Sequence, residues 1–197
     1  MEPHLRKLYP KVKRFEWTVN VVRGGNQPGD QPPGLGPHLD YHQDDKTRKE
    51  FHKENPPLPK WMNTLTEPDM LMGAFDNEDS KLGVLLGVWK PISPHEICDK
   101  PLAVMDARTF SKDYLSINQL AVDFGLATFN NLNGAIAFSP EQKWYYYAYQ
   151  NVREVLVFHQ YSKDKFFANP HTAFINKNCP KDTQNRISVE FRVGLFF

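Results

Sequence analysis

A chain of 197 residues, 40% of them apolar and 24% charged, has the size and composition to close one domain around its own core. Its 24 Lys and Arg against 23 Asp and Glu give a formal charge of +1, which leaves nucleic acid binding without an electrostatic footprint. No run approaches the roughly 18 apolar residues of a membrane span, and 16 prolines with 13% aromatic residues favour a loop-rich β protein over a helical bundle.

Met1 to Arg14 is basic without an apolar run, so it does not read as a signal peptide, and a cytoplasmic protein is expected. Phe15, Trp17, Val19 and Val21 alternate with Glu16, Thr18 and Asn20, the pattern of a half-buried strand over residues 15–22. Gly24 to Pro37 is crowded with Gly and Pro and reads as a loop. It delivers the chain to a short strand, His38 to His42. Asp44 or Asp45 can cap a surface helix that Asn55-Pro56-Pro57 stops, and a second short helix is expected around Pro68–Ala74. Leu82–Lys90 is a nearly continuous apolar run, as in strands buried on both faces. Further strands are expected at Leu102–Met105, Gly134–Phe138, Lys143–Tyr149, Glu154–Tyr161, His171–Ile175 and Arg186–Phe197. Many short strands with Gly/Pro turns imply a sandwich or barrel. The jelly-roll form, a double-stranded β-helix with a few short peripheral helices, is the version that sets ligands on facing strands. Cys98 and Cys179 lack C-x-x-C spacing, and two reduced thiols are expected over one disulfide.

Successive strand side chains point to opposite faces, so His38 and Asp40 project to one side. An imidazole and a carboxylate are two thirds of the 2-His-1-carboxylate triad that holds non-haem Fe(II) with positions left open. His171, after Pro170, is the expected third ligand. Arg186 and Ser188 follow on one strand face, a planar guanidinium fork and a hydroxyl suited to a carboxylate, with Arg192 in reserve. HxD, a distal His and then a basic anchor is the order of an Fe(II)/2-oxoglutarate oxygenase. Trp89, Arg108, Trp144 and Tyr146 are candidates to contact a small-molecule substrate, and Lys90 is a possible further cation for 2-oxoglutarate. His42 shares the face of His38 and Asp40 and reads as a rim residue or alternative ligand.

Several stretches, taken in order, resemble a family of fungal and bacterial oxidoreductases. It includes gibberellin desaturase-like proteins and the J component of cephamycin methoxylation. The matching residues begin with Pro37-His38-Leu39-Asp40-Tyr41, Val88-Trp89-Lys90-Pro91-Ile92 and Pro101 to Thr109. Ser139 to Tyr146, Glu154 to Phe158, Pro170 to Phe174 and Arg186 to Arg192 complete them. Two features depart from the family pattern: Lys90 stands where it has Arg, and members carry more chain ahead of the first motif. A single domain over 1–197, shortened at its N-terminus, is therefore expected.

The resemblance implies an Fe(II)/2-oxoglutarate-type fold and an enzyme that uses dioxygen to hydroxylate or desaturate a small molecule of secondary metabolism. It names no substrate, and the sequence does not address oligomeric state. Three alternatives stay open at this point. One is a non-catalytic β-sandwich that binds a small molecule, and another is an inactive family member. The third is a zinc hydrolase built on a local His38, Asp40 and His42 cluster.

Overall fold

The computed structural model describes residues 1–17, 21–24, 31–42, 44–55, 81–123, 128–163 and 167–197. The strands, in chain order, are β1 (Arg14–Trp17), β2 (Val21–Arg23), β3 (His38–Leu39), β4 (Leu82–Pro91), β5 (Leu102–Met105) and β6 (Leu115–Asp123). They continue with β7 (Thr128–Ile136), β8 (Trp144–Tyr146), β9 (Leu156–Ser162), β10 (His171–Ala173) and β11 (Ser188–Phe196). Two antiparallel sheets result. The first runs β1-β11-β4-β9, with β2 beside β1 on the same edge of β11, and the second runs β6-β7-β3-β10-β5-β8. This is the expected jelly-roll core, mostly β with few helices.

The apolar run of β4 lies inside the first sheet, hydrogen-bonded to β11 on one side and β9 on the other. Leu86 and Val88 pack with Val193 and Leu195 of β11 and with Leu5 of the N-terminal helix α1 (Glu2–Leu8). The opposite face carries Trp89, which packs with Ile97, Leu102 and Phe158. The β4–β11 register skips Gly83, so Leu82 packs in one cluster with Leu85 and Phe196. A third cluster, Leu39, Met105, Ile136 and Ala168, anchors the second sheet. Helix α2 (Asp45–Glu54) begins as expected, with the Asp44 side chain accepting from the Thr47 amide at 2.9 Å. Its Arg48 is buried over the Tyr161 ring and donates to the His42 carbonyl at 2.8 Å.

Several expectations are corrected. β3 is only two residues long and ends at Leu39, because the chain bends at Asp40. β6 was not expected as a strand, since its start alternates Leu115 and Ile117 with Ser116 and Asn118 in a weak pattern. It forms because nine residue pairs with β7 complete its backbone ladder. Cys98 and Cys179 are joined in a disulfide, with Cα atoms 5.7 Å apart. Asn176 also donates to the Cys98 carbonyl at 3.2 Å, tying the two cysteine loops together. The helix expected around Pro68–Ala74 and part of the 15–22 and 24–37 stretches fall outside the described residues. No helix among the described residues is long and apolar enough to cross a membrane.

Gly24 follows β2 with φ of 81°, and a Cβ there would fall 1.9 Å from the Arg186 carbonyl oxygen. Only glycine lets β2 close on the segment that leads into β11. Gly24→Ala is expected to cost about 2–4 kcal/mol in urea unfolding. Gly36→Ala, with nothing within 4 Å of the added Cβ, should stay within about 0.5 kcal/mol. Equal stabilities for the two variants would refute the close approach.

Candidate metal and anion site

The pairing of β3 with β10 sets His38 directly opposite His171, with ring centroids 4.5 Å apart. The bend after β3 then turns the Asp40 carboxylate back toward both rings. Oδ1 lies 3.4 Å from His38 Nε2, and Oδ2 lies 3.8 Å from His171 Nε2. One ligand atom from each of the three residues fits within 4.8 Å of the others. His171 also packs on the Phe158 ring of β9 at 4.8 Å, so the group lies between the two sheets.

Each imidazole is held by its other nitrogen. His38 Nδ1 lies 2.6 Å from the Gly36 carbonyl, and His171 Nδ1 lies 3.2 Å from the Asn169 carbonyl. A carbonyl can only accept, so Nδ1 carries a proton in each ring and Nε2 is the atom turned to the centre. Asp40 Oδ2 accepts from Gln160 Nε2 at 2.7 Å and from Arg192 Nη2 at 2.9 Å. Gly87 leaves the room this needs, since a Cβ there would meet Gln160 Nε2 at 2.9 Å. Arg192 is itself held by the Tyr41 hydroxyl at 2.9 Å.

Protonation follows from these contacts. Burial pushes Asp40 upward, but the charges of Arg192 and the histidines outweigh it and hold the carboxyl well below its usual range. Burial pushes His171 below the usual imidazole value, so it is neutral at pH 7. Burial also acts to lower His38, but the hydrogen bond and charge of Asp40 prevail and raise it. Two imidazole nitrogens and one carboxylate oxygen, oriented by outer partners, fit a borderline divalent ion such as Fe(II).

The same pocket is also lined by Arg23, Trp89, Leu102, Arg186 and Glu190. Arg186 is buried, stands over the Trp89 ring at 5.3 Å and donates through Nη1 to the Lys100 carbonyl. Its Nε is buried without a hydrogen-bond partner, as is the hydroxyl of Ser188. Burial, with the charge of Arg23 added, pushes the guanidinium down to about 10. The charges of Glu190 and Asp99 offset this only in part, and unmatched buried donors beside a cation are what an anion would satisfy.

Of the residues anticipated from sequence, His38, Asp40, His171, Trp89 and Arg186 line this one pocket. Lys90, Ser188, Arg192, Arg108, Trp144 and Tyr146 are not among its lining. Lys90 is half-buried and follows Trp89 on β4, so it projects from the opposite face. Arg192 supports Asp40. Arg108 is exposed in an ion pair with Asp106 at 2.6 Å. Trp144 packs against the Leu39 cluster, and Tyr146 meets Phe174 edge to face at 5.0 Å on the outermost strand of the second sheet. His42 is buried, with Nδ1 accepting from the Asp44 amide at 3.2 Å, and does not join the group; this removes the local cluster that a zinc hydrolase needed. Sequence reading missed Arg23, Gln160 and Glu190. Glu190 was legible as the next inward position after Arg186 and Ser188, and Gln160 as a lone amide in an apolar strand.

Residues 76–196 match the model of the oxidoreductase/YMDC permease-like domain family. The chain is 33% identical over 126 residues to the hydroxylase/desaturase asaB of Aspergillus flavus, covering 57% of this chain and 55% of that protein. It is 31% identical over 112 residues to the Fe(II)/2-oxoglutarate-dependent dioxygenase nvfI of Aspergillus novofumigatus, covering 55% and 39%. It thus spans about half the length, or less, of these curated relatives. The solved iron and alpha-ketoglutarate-dependent endoperoxidase NvfI has the same fold. The TM-score is 0.67 at 22% identity, over 99% of this chain and 67% of that one. A second structure of it, in a different conformation, gives 0.70 at 22% identity, over 99% and 64%.

Removing one imidazole should remove the metal. His171→Ala is expected to abolish anaerobic Fe(II) retention in equilibrium dialysis. Arg192→Met, which leaves all three donors in place, should weaken it about 10–100-fold. Full retention by His171→Ala, with unchanged circular dichroism, would count against the triad.

Proposed function

This chain belongs to the oxidoreductase/YMDC permease-like domain family, and on that premise we propose that it is a non-haem Fe(II)/2-oxoglutarate-dependent oxygenase. Its substrate is a small molecule, which it hydroxylates or desaturates with dioxygen, and residues 1–197 act as one oxygenase-like unit. One observation carries the reading: a His-Asp-His group with its Nε2 atoms turned inward and a buried arginine with an unmatched Nε share one pocket. The names of the sequence relatives support it. Against a purely structural or apolar binding module stands the cost of burying Arg186 Nε and the Ser188 hydroxyl with nothing to bond.

His38, Asp40 and His171 would hold the iron; dioxygen would be the oxidant, and 2-oxoglutarate bound beside the metal would supply two of the electrons that reduce it. The chain's own residues do the rest. The carbonyls of Gly36 and Asn169 each accept from an Nδ1–H, which turns both Nε2 atoms inward. Arg192 and Gln160 keep Asp40 ionised and fix its orientation. Arg186 takes the distal carboxylate of 2-oxoglutarate, so that the 2-oxo end points to the metal ligands. Trp89, Leu102 and Ala173 wall the pocket with apolar surface, which limits water and strengthens these charged contacts.

Anaerobic addition of Fe(II) and then 2-oxoglutarate should give the weak visible charge-transfer band of the chelate. His171→Ala should lose the band, and Arg186→Ala should need about 10–100-fold more 2-oxoglutarate to reach it. A folded wild-type chain that retains Fe(II) yet gives no band would sink the oxygenase reading.

A further inference from the structure

We infer that Arg23 is a second cation for 2-oxoglutarate, sharing the distal carboxylate with Arg186 from the opposing strand β2. The inference rests on the oxygenase reading and deepens it. Arg23 lines the same pocket as the His-Asp-His group and Arg186. The antiparallel register of β2 and β11 sets Arg23 directly opposite Ser188, two residues beyond Arg186. Directly opposed residues project to the same face with Cβ atoms about 5 Å apart, so the guanidinium leaves its strand beside that hydroxyl. The backbone is fixed there, because Gly24 lies too close to the Arg186 carbonyl for any other residue.

The Arg23 side chain is also tethered. Nη1 donates to Gln31 Oε1 at 3.2 Å and to the Pro32 carbonyl at 3.0 Å, holding the group at the pocket. Neither tether is a charge. Among the described residues, no ion pair within 4 Å involves Arg23 or Arg186. Glu190, the lining carboxylate nearest in sequence, is taken up by Gln160 at 2.7 Å and by Arg192 at 3.7 Å. Among the described residues, Arg23 therefore adds positive charge that no ion pair offsets, and its field acts against the Arg186 cation. Two guanidiniums facing one pocket repel until an anion lies between them. A carboxylate with four lone-pair sites can accept from both.

The test compares two 2-oxo acids on the Fe(II)-loaded protein under anaerobic conditions, reading the dissociation constant from the charge-transfer band. 2-Oxoglutarate carries the distal carboxylate, and 2-oxobutyrate presents the same chelating end without it. Arg23→Gln is expected to weaken 2-oxoglutarate about tenfold while leaving 2-oxobutyrate within about twofold of wild type. Arg23→Lys keeps the charge but loses the fork and should fall between wild type and Arg23→Gln. It also serves as the test if the glutamine variant does not fold. Unchanged 2-oxoglutarate binding, or equal weakening of both acids, would overturn the inference while the wild-type band leaves the oxygenase reading standing. Absence of the band in wild type would remove both.

Discussion

Asp40 belongs to the second sheet, but what holds its charge comes from the first. Gln160 on β9 and Arg192 on β11 both reach across to its Oδ2 atom. A buried carboxylate without such partners would take up a proton or force the layers apart. With them it stays ionised and is a fixed point between the sheets. His38 and His171 are placed by the β3–β10 pairing and then face a carboxylate whose position the other sheet decides. The geometry of the His-Asp-His group is thus a consequence of how the two layers meet. Taking away either Gln160 or Arg192 would disturb it without touching His38, Asp40 or His171.

β11 shows how the fold makes room for this. Val193 and Leu195, with Phe191 packed on them, face outward into a cluster closed by Leu5 and Val12 near the N-terminus. Ser188, Glu190 and Arg192 alternate with them and face the gap between the sheets. An ordinary β-sandwich puts apolar side chains inside and polar ones in water. Here the inner face of the central strand is polar, and its outer face needs α1 as a lid. The short helix is therefore structural in a specific sense: it covers the apolar surface that the polar interior displaced to the outside.

That inversion sets what could be read from the sequence. The period-2 pattern of β11 was plain, and so was the shared face of Arg186, Ser188 and Arg192. Which of these meets a ligand depends on the neighbouring sheet. Arg192 turns to Asp40 and Arg186 does not, and no strand pattern carries that information. Trp89 and Lys90 illustrate the same limit on β4, where burial selects the tryptophan face. His38 and His171 were legible as residue types, while their pairing across β3 and β10 is tertiary. β6 escaped because a strand rich in Ser, Asn and Gln is stabilised by its partner and not by its own propensity. The disulfide escaped because residues 81 apart in sequence are brought together only by folding.

The charges along the pocket explain why a metal and a dicarboxylate suit it as a pair. Asp40 and Glu190 place negative charge in the pocket, matched in part by Arg192, while Arg23 and Arg186 add positive charge to the same lining. Charges of both signs thus line it before anything binds. A divalent cation alone would be drawn to the carboxylates and leave the whole site strongly positive. A dianion alone would be drawn to the arginines and leave part of its charge against Asp40. Bound together, their charges cancel each other and each meets the side chains that complement it. Each should therefore tighten the binding of the other by the same factor, as linkage requires. Such coupling would draw on residues of both sheets, with Arg23 and Arg186 at the β2 and β11 strand ends acting together with His38, Asp40 and His171.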